Sequence, residues 1–285
     1  MQRLFCFGLG FSGKATAHRL AAQGFAIAGT SRSEAKVAEL RAEGIEAHVF
    51  NADTPLDPAV LKGTTHLLLS VPPDEKGDPV FRAHAGDIAK LKGDLVWAGY
   101  LSTTGVYGDR AGDWVDEDAP LTPTTKRGER RLAAEEAWAS LGLPLHIFRL
   151  AGIYGPGRNQ LRSVLEGTAR RVVKPGQVFS RIHVEDIAAV LVASIEKPNP
   201  GAAYNVCDNE PAPPQEVVGF AAELLGRTPP PEIAFDDAEL SPMARSFYAE
   251  SKRVSNRRIR EELGVMLRYP TYREGLKALL AGEAG

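Results

Sequence analysis

The feature that most constrains this chain is a glycine pattern set between a short apolar run and a helix start. Gly8, Gly10 and Gly13 stand as G-x-G-x-x-G in Phe5-Cys6-Phe7-Gly8-Leu9-Gly10-Phe11-Ser12-Gly13-Lys14. Without a side chain, position 8 permits a tight turn, position 10 lets the backbone approach a pyrophosphate, and position 13 lets the helix pack close to the strand. The helix N-terminus then offers amide hydrogens and the positive end of its dipole to the phosphates. Alone the pattern is common; on the first strand of a βαβ unit it points to a dinucleotide site, with Phe11 and Ser12 in the same loop.

That βαβ context is present. Continuous apolar runs at Leu4–Phe7, Ala26–Gly29, Ala47–Phe50, His66–Ser70, Leu95–Leu101 and Leu145–Leu150 read as strands covered on both faces of a parallel sheet. Lys14–Gln23 and Ser33–Glu43 read as helices, each ending at a glycine. The expected fold is α/β, a Rossmann-type doubly wound parallel sheet with a small C-terminal substrate lobe. Residues 1–155 would form the dinucleotide-binding core, and residues 156–285 the lobe segments, interleaved with the last core helix (Val184–Ile195) and strand (Ala203–Val206) in a single domain. From Ser241 onward the chain reads as mainly helical, with a short strand near Met266–Arg268.

The second strand runs into Gly29-Thr30-Ser31-Arg32, with no acid before Glu34. An Asp or Glu near this point would accept the hydroxyls of an adenosine ribose, whereas a guanidinium suits a 2′-phosphate. Ser31 and Arg32 therefore favour NADP(H), with NAD as the alternative. Asp53 is a candidate for orienting the adenine and is equally well read as an ordinary loop acid; Ser70, Ala151 and Gly152 complete the expected cofactor set.

Bulk properties exclude several classes. A formal net charge of −2 gives no basic footprint for nucleic acid or an anionic membrane. No apolar run approaches the roughly 20 residues needed to cross a bilayer. The first strand begins almost at once, without the pattern of a secretory signal, so a cytoplasmic protein is expected. Cys6 and Cys207 lack metal-ligand spacing and read as buried thiols rather than a disulfide, and no metal site is expected.

Further motifs carry a resemblance. Ser102-Thr103-Thr104-Gly105-Val106-Tyr107-Gly108, Phe148-Arg149-Leu150-Ala151-Gly152-Ile153-Tyr154-Gly155-Pro156-Gly157 and Ile182-His183-Val184-Glu185-Asp186-Ile187 occur in that order, followed by Tyr204-Asn205-Val206 and Ser251-Lys252-Arg253. Over nearly its full length the chain resembles the extended and atypical short-chain dehydrogenases/reductases, in the NAD-dependent epimerase/dehydratase branch, and within it the YeeZ-like group. The resemblance implies that Thr103 holds a substrate oxygen and that the 148–157 segment passes the nicotinamide.

The same resemblance exposes a departure. The family places a tyrosine as general acid/base and, four residues later, a lysine that lowers its pKa and binds the nicotinamide ribose. Alignment on Leu132-Ala133-Ala134-Glu135 puts Arg127 at the tyrosine position and Arg131 at the lysine position. Arg131 retains charge and donors for a ribose. Arg127 cannot shuttle a proton, because arginine keeps its own; losing such assistance removes about 10²–10⁴-fold in rate. Most epimerase-type members also have two residues between the first two glycines, where this chain has one, which weakens the transfer of any particular epimerase or dehydratase activity.

Tyr107, Tyr154 and Lys126 are substitute candidates, with packing or solvation as their alternatives. His183 reads as a pH-sensitive group or as the acceptor of a helix-start hydrogen bond. The basic run Lys252, Arg253, Arg257, Arg258, Arg260 reads as a solvated face or as an anion-binding wall, and Asp113, Asp116, Glu117 and Asp118 as a surface loop.

Two functions follow as expectations. One is an NADP(H)-dependent oxidoreductase or epimerase/dehydratase-type enzyme on an unidentified small molecule. The other is a non-catalytic NADP(H) sensor or scaffold. A β-hydroxyacid dehydrogenase would suit the glycine spacing but needs an all-helical C-terminal domain, which the mixed 170–206 segment does not support. The sequence leaves oligomeric state undecided, and a homodimer is suggested only by analogy with the superfamily.

Overall fold

The structure, a computed structural model, describes residues 2–51 and 54–283. The chain divides into two compact units, each drawn from several segments. The first comprises Met1–Thr103, Lys126–Arg149 and Ile187–Tyr204, and the second Thr104–Thr125, Leu150–Asp186 and Asn205–Gly285.

The first half of the chain alternates strand and helix: β1 (Arg3–Phe7), α1 (Phe11–Ala21), β2 (Ala26–Ser31), α2 (Glu34–Ala42), β3 (Glu46–Val49), β4 (His66–Leu69), α3 (Pro79–Lys90) and β5 (Trp97–Thr103). After the short β6 (Trp114–Val115) come α4 (Lys126–Ser140) and β7 (Leu145–Leu150). The remainder is β8 (Gly152–Tyr154), α5 (Gln160–Leu165), β9 (Arg171–Val173), β10 (Arg181–His183), α6 (Val184–Glu196), β11 (Ala203–Val206), α7 (Pro214–Leu224), β12 (Glu232–Ala234), α8 (Pro242–Phe247), β13 (Arg253–Val254), α9 (Arg257–Glu261) and α10 (Tyr272–Glu283).

Seven strands form one sheet in the order β11-β7-β5-β4-β1-β2-β3, the Rossmann-like arrangement that the apolar runs imply. Registers from β3 through β2, β1 and β4 to β5 are all parallel. All four residues of β4 are buried, as are the first six of β5, because helices cover both faces. One core layer packs Phe5, Phe7, Leu67, Leu69, Ala98 and Tyr100 against Val80, Ile88, Ala134 and Trp138 of α3 and α4. Asp78 ties these helices together: one carboxylate oxygen caps α3 by accepting from the N–H groups of Val80 and Phe81 (2.8 and 3.0 Å), and the other accepts from Trp138 Nε1 (3.0 Å).

The second unit is built from two-stranded parallel pairs, β8 with β10, β9 with β12, and β6 with β13. Tyr154, Leu161, Val164, Val217, Ala221, Tyr272 and Leu276 form its main core. No strand forms at Met266–Arg268, contrary to the sequence expectation. Met266 is 92% exposed, and the N–H groups of Arg268 and Tyr269 donate to the Asp186 carboxylate (2.8 and 3.1 Å) instead of to a ladder. Both cysteines are buried and free, as expected; Cys207 lies just beyond β11. Among the described residues, no helix is long and apolar enough to cross a membrane.

A buried polar cluster joins β5, α4 and β7. Arg149 Nη2 pairs with Glu135 Oε2 at 3.1 Å, both side chains almost fully buried, and Ser102 Oγ donates to Glu135 Oε1. Removing one partner of such a pair strands a buried charge. Arg149→Leu is accordingly expected to lower unfolding free energy by about 3–5 kcal/mol, measured by urea denaturation; unchanged stability would contradict the cluster's structural role.

Candidate functional site

The glycine loop lies in the first unit, between β1 and α1, and each glycine can be assigned its own physical demand. Gly8 has φ +93°, and a Cβ there would meet Val71 Cγ2 at 3.1 Å and the Ser70 carbonyl carbon at 3.3 Å. At Gly13 a Cβ would stand 2.5 Å from the Gly8 carbonyl oxygen and 3.0 Å from Cys6 Sγ, so only glycine lets α1 seat on β1. Gly10 differs. Its backbone is extended (φ −85°, ψ −157°), and a Cβ would meet nothing within 4 Å. Neither conformation nor any neighbour among the described residues requires glycine at 10.

Gly10 caps α1 with no side-chain hydrogen bond, and the first turn carries no acid, whereas α2, α3 and α5 are capped by Ser33, Asp78 and Asn159. This is the amide-rich, electropositive terminus that a pyrophosphate needs. Phe11 is exposed at the first helical position, Ser12 is buried, and Ser70 is half-buried beside the turn.

The sequence reading missed what holds the loop. Thr30 of β2 accepts from the Gly8 N–H at its Oγ1 (2.9 Å) and from the Leu9 N–H at its carbonyl (2.7 Å). Neighbouring Gly29 has no room for a side chain, since a Cβ would stand 2.4 Å from the Cys6 carbonyl oxygen. The small residues at the end of β2 were the available signal. Beyond them, Ser31 is half-buried and Arg32 exposed, with no hydrogen bond or ion pair for the guanidinium among the described residues. Asp53 lies outside the described residues.

Thr103 ends β5, half-buried. Arg127 and Arg131 occupy the first turns of α4, four residues apart and so on one face. Arg127 is exposed. Arg131 leans on β5: its Nη1 donates to Tyr100 Oη (3.1 Å) and to the Leu101 carbonyl (2.6 Å), with the guanidinium 5.6 Å from the Tyr100 ring. Its Nε and Nη2 have no partner among the described residues and can still hold a ribose hydroxyl. Tyr100 is fully buried, and that burial pushes its hydroxyl up to about 12, which leaves it an acceptor for Arg131.

Tyr107, Ala151 and Gly152 fall in the second unit. Tyr107 is fully buried and donates to Asn205 Oδ1 (2.7 Å). Tyr154 packs against Gly275, where a Cβ would stand 2.1 Å from its hydroxyl oxygen. His183 makes a helix-start contact, its Nδ1 accepting from the Glu185 N–H (3.2 Å). Burial draws the ring down to about 4, so it is neutral at pH 7. The basic run is engaged internally: Lys252 with Glu250, Arg253 with the Gly112 carbonyl, Arg257 with Glu261, Arg258 with Asp118 and Glu262, and Arg260 with Asn256. The acidic loop therefore supplies partners to that run.

Parallel sheet, glycine loop and helix terminus together define an α/β protein with a Rossmann-like fold. The model of the NAD dependent epimerase/dehydratase family matches residues 96–207 of the chain. It is 28% identical over 284 residues to protein YeeZ of Escherichia coli (strain K12), covering 95% of this chain and 97% of that protein. A functionally unknown conserved protein from Silicibacter pomeroyi DSS superposes with a TM-score of 0.93 at 53% identity, each chain covered in full. UDP-glucuronic acid 4-epimerase from Bacillus cereus, solved in complex with NAD, shares the fold with a TM-score of 0.76 at 15% identity, each chain again covered in full.

The glycine assignments separate experimentally. Gly13→Ala is expected to destabilise by about 1–3 kcal/mol through overpacking, while Gly10→Ala leaves stability within about 0.5 kcal/mol. Urea unfolding of both variants checks this, and equal losses would contradict it.

Proposed function

We propose that the chain binds NADP(H) at the Gly8–Gly13 loop and acts as an oxidoreductase on a small carbonyl or alcohol. The observation that carries the reading is Gly10, a glycine that the chain's own geometry does not require. The uncapped α1 terminus receives the pyrophosphate, and Arg32, with no internal partner among the described residues, takes the 2′-phosphate through its guanidinium fork. When bound, the nicotinamide supplies or accepts a hydride.

Thr103, at the end of β5, holds the substrate oxygen with its hydroxyl. Arg131, fixed by Tyr100 and Leu101, presents its remaining N–H groups to the cofactor ribose. Arg127 contributes positive charge and no proton. The proton that balances hydride transfer is therefore drawn from another group or from solvent.

A second reading is favoured by the same helix: with arginine exposed at the tyrosine position, the protein is a dinucleotide sensor without turnover. The double variant R127Y/R131K bears on the choice. NADPH oxidation by that variant with an acceptor the native protein does not reduce favours the sensor reading.

Two outcomes test the oxidoreductase. Arg32→Ala should weaken NADPH binding by about 10- to 100-fold and leave NADH binding unchanged, as read by fluorescence titration. Equal losses for both cofactors would remove the 2′-phosphate role. Thr103→Ala should reduce turnover by about 10²-fold with cofactor affinity retained; an unchanged rate would sink the role given to Thr103.

A further inference from the structure

The second unit holds a guanidinium without a counterion. Arg181 lies on β10 opposite Gly152 of β8, its Cγ 3.7 Å from where a Gly152 Cβ would stand. It is half-buried, and burial works against its charged form. Nη1 donates to the carbonyls of Phe179 (2.8 Å) and Ala212 (3.1 Å). Nε and Nη2 have no hydrogen bond, and the side chain has no ion pair, among the described residues.

Asp208 is the acid whose charge acts on it, and the Asp208 N–H donates to the Arg181 carbonyl (2.6 Å). That side chain is 1% exposed. Its Oδ1 accepts from the Glu210 N–H (3.1 Å), while Oδ2 is buried with no partner among the described residues. Burial raises the carboxyl to about 8, so at pH 7 it is mostly the neutral acid and supplies little countercharge. Tyr272, also 1% exposed, has its ring 5.9 Å from the Arg181 guanidinium carbon, and its hydroxyl is likewise buried without a partner.

A desolvated cation without a counterion is costly, and so are buried polar groups left unmatched. The unmet groups here share one character: guanidinium N–H, neutral carboxyl O–H and phenol O–H are all donors. An acceptor-only guest satisfies such a set, and the guanidinium fork matches a planar or tetrahedral oxyanion. We propose that Arg181, with Asp208 and Tyr272 beside it, forms an oxyanion subsite in the second unit that takes a carboxylate or phosphate group of a small ligand. The basic run at residues 252–260 does not supply this set, since its side chains are engaged internally.

Isothermal titration of the full-length protein with sodium phosphate and, separately, sodium acetate, at pH 7 and constant ionic strength, tests the proposal. Saturable one-site binding of either anion is expected, and the anion that binds more tightly identifies the group. Arg181→Gln should weaken it by about 10- to 100-fold. Arg181→Lys, which keeps the charge and loses the fork, should fall between, and it serves alone if the glutamine variant does not fold. NADPH affinity reports separately on the glycine loop in the first unit and should be the same in each variant. No saturable binding of either anion, or equal anion affinity in native protein and variants, overturns the subsite.

Discussion

The contact on which the rest of the glycine loop depends is between Gly13 and the Gly8 carbonyl. A methyl group at 13 would stand 2.5 Å from that oxygen, so the spacing between α1 and β1 is set by the absence of a side chain. From it follow the direction of the α1 axis and the position of its uncapped amides. Thr30 holds the turn from the neighbouring strand by accepting from the Gly8 and Leu9 N–H groups. A rigid turn of this kind places backbone donors without the entropic cost of ordering a loop around the ligand.

The contact between α4 and β5 is organised around arginine. Arg131 is fastened to β5 through Tyr100 and Leu101, close in sequence to Thr103, while Ser102 and Arg149 meet at Glu135. Thus α4 is joined to β5 twice, by Arg131 and by Glu135 one turn further on. A lysine at 131 would carry the charge as a point, without the planar fork that bonds β5 through one nitrogen and keeps others available. Arginine at 131 therefore decides how the helix is held as well as what it presents.

Much of the fold was readable in the sequence wherever burial on both faces produced unbroken apolar runs. Leu145–Leu150 and Ala203–Val206 were located residue for residue, and β1 within one residue at its start. β5 begins at Trp97 rather than Leu95, since Val96 is 56% exposed. The short pairs β6–β13 and β9–β12 were not readable, because two or three residues carry no periodicity. Met266 misled for the opposite reason: an apolar residue near an apparent run faces solvent. At the site, the glycine spacing was legible because its demand is local. The roles of Thr30 and of Tyr100 were not, since each depends on a partner about twenty to thirty residues away that only folding brings near. Likewise the basic run drew attention through its density, whereas Arg181, solitary in sequence, is one of the charges left without an ion pair among the described residues.

The central claim is that the loop is shaped for a dinucleotide, and the most direct measurement is a fluorescence titration of NADPH into native protein and into Gly10→Val. Saturable binding by the native protein, abolished in the variant while its melting temperature stays close to native, is the predicted result. No binding by the native protein, or equal binding by both, would contradict the account, because Gly10 would then answer to no guest.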